Sequence, residues 1–279
     1  MLAYRCAART MPCMSSAKER ATTFGAAAGE YDRYRIGVPD SVVDRLLPGG
    51  LEAVLDLGAG TGAMTRRLVG RAERVYAVDV DPRMLAVLAE TCPDVSVHEG
   101  TAEQIPLPDA TVDAVVVASA WHWMDPGMAL PEVARVLRPA GQLVLVWNRR
   151  DRAVPWVADL EGARMRITGG DDLVEQRIRH YLDDAWLPES ALFEGVVIED
   201  LRWNASVTRE DVARMMTTYG AYISASEDQK PEMLRELIEY VNGDERIIPD
   251  GSGDGDDALV NLPMVCHVWR ATRSFNDQA

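Results

Sequence analysis

The sequence predicts an α/β protein built on a doubly wound, mostly parallel sheet. Three observations carry this prediction. A short apolar strand runs into a glycine turn and then a helical period, in VLDLGAGTG from Val54 to Gly62 and the TRRLV that follows. Further apolar strands, RVYAVD, VSVHEG, TVDAVVVAS and GQLVLVWN, are separated by helical stretches. Such alternation is the pattern of parallel strands joined by crossover helices. A late strand, LPMVCHVWRAT, follows a helical insertion.

In the first element, Val54, Leu55 and Leu57 form the strand and Asp56 interrupts it near the tip. Gly58, Gly60 and Gly62 then turn the chain with almost no side-chain bulk. Strand, glycine turn and helix start make a cradle in which backbone N–H groups converge and a ligand approaches closely. A nucleotide-like ligand suits it. Gly58, Gly60 and Ala63 also satisfy the dinucleotide fingerprint. A nicotinamide-dependent oxidoreductase therefore stands as one alternative. Asp56 tilts the choice away from a pyrophosphate, which a carboxylate repels, and toward a ligand with an ammonium or sulfonium.

The second strand, RVYAVD, ends at Asp79, 17 residues after Gly62. An acid at this strand tip accepts hydrogen bonds from ribose hydroxyls in doubly wound folds. Asp81 competes for that role, but Asp81-Pro82 reads as a helix N-cap followed by proline at the first helical position. Met84 is placed to lie against a flat adenine or to fill the core.

The segments VLDLGAGTG, VYAVDVDPRML, EGTAEQIPLPDATVDAV, WHWMDP and EVARVLRPAGQLVLVWNRRD come in a familiar order. With the terminal LPMVCHVWRATR, they resemble the class I S-adenosylmethionine-dependent methyltransferases. The likeness is strongest to the small-molecule group that includes the ubiquinone and menaquinone C-methyltransferases. It implies a Rossmann-like, seven-stranded sheet with an antiparallel terminal strand, and S-adenosyl-L-methionine as cofactor. It also implies that the pair after the third strand, Thr101 and Ala102, frames adenine. Here a hydroxyl stands where the family has an acid, and Glu103 is a second candidate. Ser119 would lie beside the methionine part of the cofactor. Arg35, in YDRYRIGVPD, matches the family's arginine for the cofactor carboxylate, with Ile36 standing where the group usually has proline.

Composition bounds the remaining roles. The chain has 279 residues and a formal charge of −15, enough for one large domain or a domain with a substantial insertion. So acidic a chain argues against nucleic acid and anionic membranes as partners. No apolar run approaches a membrane span. Cys6, Cys13, Cys92 and Cys266 lack C-x-x-C spacing, so no metal is expected and a reducing, cytoplasmic compartment is. The expected partner is a small-molecule acceptor, with the chain as monomer or homodimer.

Four regions follow. Residues 1–30 read as an N-terminal extension whose first 20 residues are basic, and residues 31–150 as the cofactor-binding core. Residues 151–195 read as a helical lid that includes His180, Tyr181 and Trp186. Residues 196–279 hold the terminal strands with a helical insertion at 208–243, where Thr208 and Asp211 fit a capping arrangement. The last strand is expected to pair with the sixth and close the sheet. The extra helices are expected over the carboxyl ends of the strands, where ligands bind in open α/β sheets. The stretch DGSGDGDDALVN opens like a calcium loop, but Asn261 holds position 12, and a solvated acidic loop is expected.

Methyl transfer needs alignment more than acid–base groups. His122, between Trp121 and Trp123, is the candidate catalytic base. Trp123, Trp147, Asn148, Arg149, Tyr219 and Tyr222 are candidate substrate residues, and Arg149 or Arg150 would serve an acidic acceptor. Trp156, Met165, Met215 and Met216 offer either an apolar pocket wall or packing between helices. A second alternative keeps fold and cofactor but performs a non-methylating reaction such as cyclisation.

Overall fold

Among the described residues seven strands carry the fold: β1 (Leu51–Leu57), β2 (Ala72–Asp79), β3 (Ser96–Glu99), β4 (Val112–Ala118), β5 (Leu137–Arg150), β6 (Phe193–Thr208) and β7 (Leu259–Arg273). The computed structural model describes residues 33–47, 49–169, 191–252 and 255–274, apart from the side chain of Asp256. The expectations for residues 1–30 and for the helical stretch with His180, Tyr181 and Trp186 lie outside the described residues.

The strands form one sheet in the order β3-β2-β1-β4-β5-β7-β6. β1 pairs in parallel with β2 and β4, β2 with β3, and β4 with β5. β7 runs antiparallel to both β5 and β6. The seven-stranded, mostly parallel sheet with one antiparallel terminal strand is the expected one. The last strand does pair with the sixth, but it lies between β5 and β6, so β6 forms the edge.

The helices that flank the strands are α1 (Asp40–Leu46), α2 (Thr65–Leu68), α3 (Pro82–Thr91), α4 (Pro126–Val136) and α5 (Pro155–Thr168). Between β6 and β7 come α6 (Arg209–Met215), α7 (Gly220–Ile223) and α8 (Lys230–Gly243). Local chemistry starts several of them. Asp81 caps α3 by accepting from Arg83 N–H, and Asp125 caps α4 by accepting from Gly127 N–H, each with proline next. Thr208 and Asp211 form the reciprocal capping box of α6.

Both sheet faces are covered, which is why the central strands read as continuous apolar runs. Alternation sorts β5 and β7 between two cores. Leu143, Leu145, Trp147, Trp269 and Ala271 join the face under α4. Val144, Val146, Cys266 and Val268 join the face under α1. A third core joins Leu160 of α5 to Val212, Met215, Met216, Leu237 and Val241 of the insertion and to Val260, Leu262 and Met264 of β7. Met264 is paired with Arg150, the last residue of β5. The insertion therefore sits at the carboxyl end of β5. Met215 and Met216 are core residues, and Trp156 packs against the same cluster. No described helix is long and apolar enough to cross a membrane.

Candidate active site

The glycine turn after β1 is anchored to the tip of β2. Gly58 N–H and Ala59 N–H both donate to Val78 O, at 2.8 and 3.1 Å. Gly58, Gly60 and Gly62 all have positive φ, a conformation that glycine adopts without strain. The two outer glycines are also sterically required. A Cβ on Gly58 would stand 2.6 Å from Ala120 Cβ, and one on Gly62 2.9 Å from Leu88 Cγ. A Cβ on Gly60 would meet nothing within 4 Å.

Two acids stand beside this turn. Asp79 Oδ2 accepts from Gly60 N–H at 2.8 Å, and its Oδ1 accepts from Asp81 N–H at 2.9 Å. Burial raises the Asp79 carboxyl above its ordinary range despite these hydrogen bonds. Asp56 is fully buried. Its Oδ2 accepts from the Thr65 hydroxyl at 2.6 Å, while its Oδ1 has no hydrogen-bond partner among the described residues. Burial, with the nearby Asp79 charge adding to it, pushes the Asp56 carboxyl up to about 7.

These groups border a cavity of about 540 Å³, within the size range of small-molecule sites. Asp56, Gly58, Gly60, Asp79 and Met84 line it from β1, β2 and α3. Thr101, Ala102 and Glu103 line it from the segment after β3, and Ser119, His122 and Trp123 from the segment after β4. Arg35, Trp147, Asn148, Arg149 and Tyr219 complete the far wall. Gly62 packs on Leu88 behind the turn, and Tyr222 is buried with its hydroxyl donating to Lys230 O at 3.2 Å. Neither is part of the wall. Trp156, Met215 and Met216 are also not part of it, and their packing in the third core accounts for them; Met165, half-buried on α5, is not part of it either.

Several wall residues are held firmly. Thr101 Oγ1 accepts from Gln104 N–H at 3.1 Å, and Glu103 Oε1 accepts from Asp125 N–H at 2.9 Å. Ser119 adopts φ 55° and donates its N–H to Val146 O at 2.7 Å. The Asn148 amide is spent on structure: its NH₂ donates to Ile36 O and Gly37 O, and its oxygen accepts from Trp203 Nε1 and Cys266 Sγ. It fastens the segment with Arg35 to the end of β5. His122 is buried, and its Nδ1 accepts a long hydrogen bond, 3.5 Å, from Trp147 Nε1. A neutral ring that accepts at Nδ1 carries its proton on Nε2.

One cluster was not anticipated from the sequence. Arg150 and Arg164, both buried, share the buried carboxylate of Glu161. Burial alone raises the Glu161 carboxyl, but the two guanidinium groups outweigh it and bring it down to about 2. Arg150 also donates to the Tyr219 hydroxyl at 2.9 Å. The only sequence signal was a pair of charges three apart on α5, which ordinarily marks a solvated face.

The open position over Gly60, the unpartnered Asp56 oxygen and the acid at the tip of β2 fit a nucleoside with a cationic tail. Comparison with known proteins agrees. Residues 55–145 match the family described as methyltransferase domain. An uncharacterized methyltransferase of Mycobacterium tuberculosis is 54% identical over 145 residues, covering 52% of this chain and 60% of that protein. An uncharacterized methyltransferase-like protein of Schizosaccharomyces pombe is 33% identical over 234 residues, covering 78% of this chain and 85% of that protein. The structure of a candidate type II methyltransferase of Anaeromyxobacter dehalogenans matches with a TM-score of 0.59 at 21% identity, covering 86% of this chain and 97% of that one.

Proposed function

The chain belongs to the S-adenosylmethionine-dependent methyltransferases, and from that premise we propose that it methylates a small organic acceptor, at oxygen or carbon, inside the cavity at the carboxyl ends of β1, β2, β4 and β5. The observation that carries this reading is the turn built from Asp56, Gly60 and Asp79, with a buried carboxylate oxygen left for a cation. When bound, the cofactor would supply an electrophilic methyl carbon on a sulfonium, whose leaving group is the neutral thioether S-adenosylhomocysteine.

The chain's own residues bind and orient. Asp56 holds the ammonium of the tail and Asp79 the ribose hydroxyls. Met84 and Ala102 offer a flat, buried floor for adenine, with Thr101 and Glu103 at its edge. Arg35 meets the tail carboxylate, and Ser119 borders the methionine part. Trp123, Trp147 and Arg149 border the acceptor, and enclosure by residues 208–243 excludes water. His122 donates through Nε2, because its Nδ1 is taken by Trp147. We place the chain with the small-molecule group that resembles the quinone C-methyltransferases.

Incubating the protein with methyl-labelled cofactor and a metabolite extract tests the reading. The expected result is a metabolite that gains one methyl mass for each S-adenosylhomocysteine formed. A metabolite consumed without S-adenosylhomocysteine would contradict it and would point to cyclisation.

A further inference from the structure

We propose that two copies of the chain join edge to edge through β6, about a two-fold axis at Leu201, so that one continuous sheet runs across both. The inference is independent of the methyl-transfer reading.

β6 ends the sheet, with β7 on its inner side and no strand on its outer side among the described residues. It runs 16 residues, from Phe193 to Thr208, about three times the usual strand length. An antiparallel strand turns alternate N–H and C=O groups outward, so a bare edge of this length is a template for another strand. Proteins that avoid such pairing blunt their edges with short strands, bulges, proline or lysine. β6 holds neither proline nor lysine, and its bulge lies at its start, between Glu194 and Val197. Val196, Val197 and Ile198 stand in a row there, each about half exposed.

A second copy is the occupant that the strand's own charges fit. Opposed residues of an antiparallel pair turn their backbone groups together, toward each other or away, and consecutive residues alternate. A two-fold axis between identical strands therefore falls on a residue and not between two. Set on Leu201, near the middle of β6, it overlaps residues 194–208 of both copies. The regular run beyond the bulge, Val197 to Ala205, then pairs with itself. Asp200 stands opposite Arg202 of the second copy, and Arg202 opposite Asp200 of the second copy. Set one residue away, on Asp200 or on Arg202, the axis opposes like charges.

Both side chains are within reach of a partner, Asp200 being 42% and Arg202 60% exposed. Each is held at one atom among the described residues. His267 Nδ1 lies 2.6 Å from Asp200 Oδ1, and Arg202 Nε donates to Asp151 at 2.9 Å. Asp200 Oδ2 and the terminal nitrogens of Arg202 are left for the cross-strand pair. The same patch serves both copies, so the contact closes on itself as a dimer.

Sedimentation equilibrium of the full chain is expected to show a reversible dimer. Asp200→Arg and Arg202→Glu each oppose like charges across the axis, and each alone is expected to sediment as a monomer with wild-type circular dichroism. Mixed in equal amounts, the two restore both opposite-charge pairs and are expected to form a heterodimer. Hydrogen exchange on the unaltered chain gives a reading free of substitutions: amides between Val197 and Ala205 are expected to slow as the dimer fills. A wild-type chain that stays monomeric at every concentration reached overturns the proposal. So does a dimer that persists in both variants, a mixture that fails to associate, or exchange in β6 that ignores dimerisation.

Discussion

The Asp79 carboxylate accepts the N–H of Gly60 at 2.8 Å, so the acid at the tip of β2 and the open glycine of the turn act as one unit. Its second oxygen is engaged by Asp81 N–H. Replacing Asp79 by alanine removes a charge-assisted acceptor from the cavity wall, worth about 1.5–3 kcal/mol. The expected outcome in calorimetry is a cofactor affinity lower by roughly 10- to 150-fold, with the fold retained by circular dichroism. Unchanged affinity would remove the ribose role.

The glycines separate binding from folding. At Gly60 an alanine Cβ enters open space beside the turn, and the left-handed φ of 55° costs about 1–2 kcal/mol. Gly60→Ala is expected to fold and to lose cofactor binding. At Gly58 the Cβ would overlap Ala120, so Gly58→Ala is expected to lower the melting temperature more than Gly60→Ala does. Melting curves and calorimetry on the two variants decide this. Wild-type affinity in Gly60→Ala would contradict the close approach.

Asp56 predicts a pH dependence with a definite sign. Its folded pKa of about 7 lies above its ordinary value of 3.8. Below that ordinary value both states hold the proton and no penalty exists. As pH rises to about 7 the unfolded chain releases the proton while the folded protein keeps it, so the cofactor-free protein loses stability across that window. Asp56→Asn is expected to flatten that part of the melting-temperature profile. An equal slope in the variant would show that Asp56 is not the titrating group. Because an ammonium favours the ionised carboxylate, cofactor affinity is expected to rise with pH through the same range.

His122 faces the cavity with Nδ1 engaged by Trp147. On the proposed reading the ring keeps its proton on Nε2 and orients a group without taking its proton. His122→Gln, which keeps a donor, is expected to change kcat by less than about tenfold, because general-base catalysis contributes roughly 10²–10⁴. A loss of that larger size, with a pH profile that loses its acidic limb, would restore the base.

What was legible in the sequence was local. The glycine turn, the acid ending β2, the Asp81 cap and the Thr208–Asp211 box each depend on residues within a few positions of one another. Their geometry follows from backbone preference and short-range hydrogen bonds. What was not legible joins distant segments. Asn148 reads as a substrate group at a strand end, yet its amide is consumed by Ile36, Gly37, Trp203 and Cys266. Arg150 reads as a group for an acidic acceptor, yet it is buried against Glu161 and Tyr219. The place of β7 between β5 and β6 is likewise a matter of tertiary pairing, since either neighbour satisfies the same alternating pattern.

The most direct measurement is isothermal titration of the purified chain with S-adenosylhomocysteine, alongside NADH. Binding at one site per chain, weakened in Asp79→Ala and absent for NADH, is the predicted result. No heat with S-adenosylhomocysteine, or saturable heat with NADH in its place, would contradict a site built to hold a sulfur-bearing nucleoside.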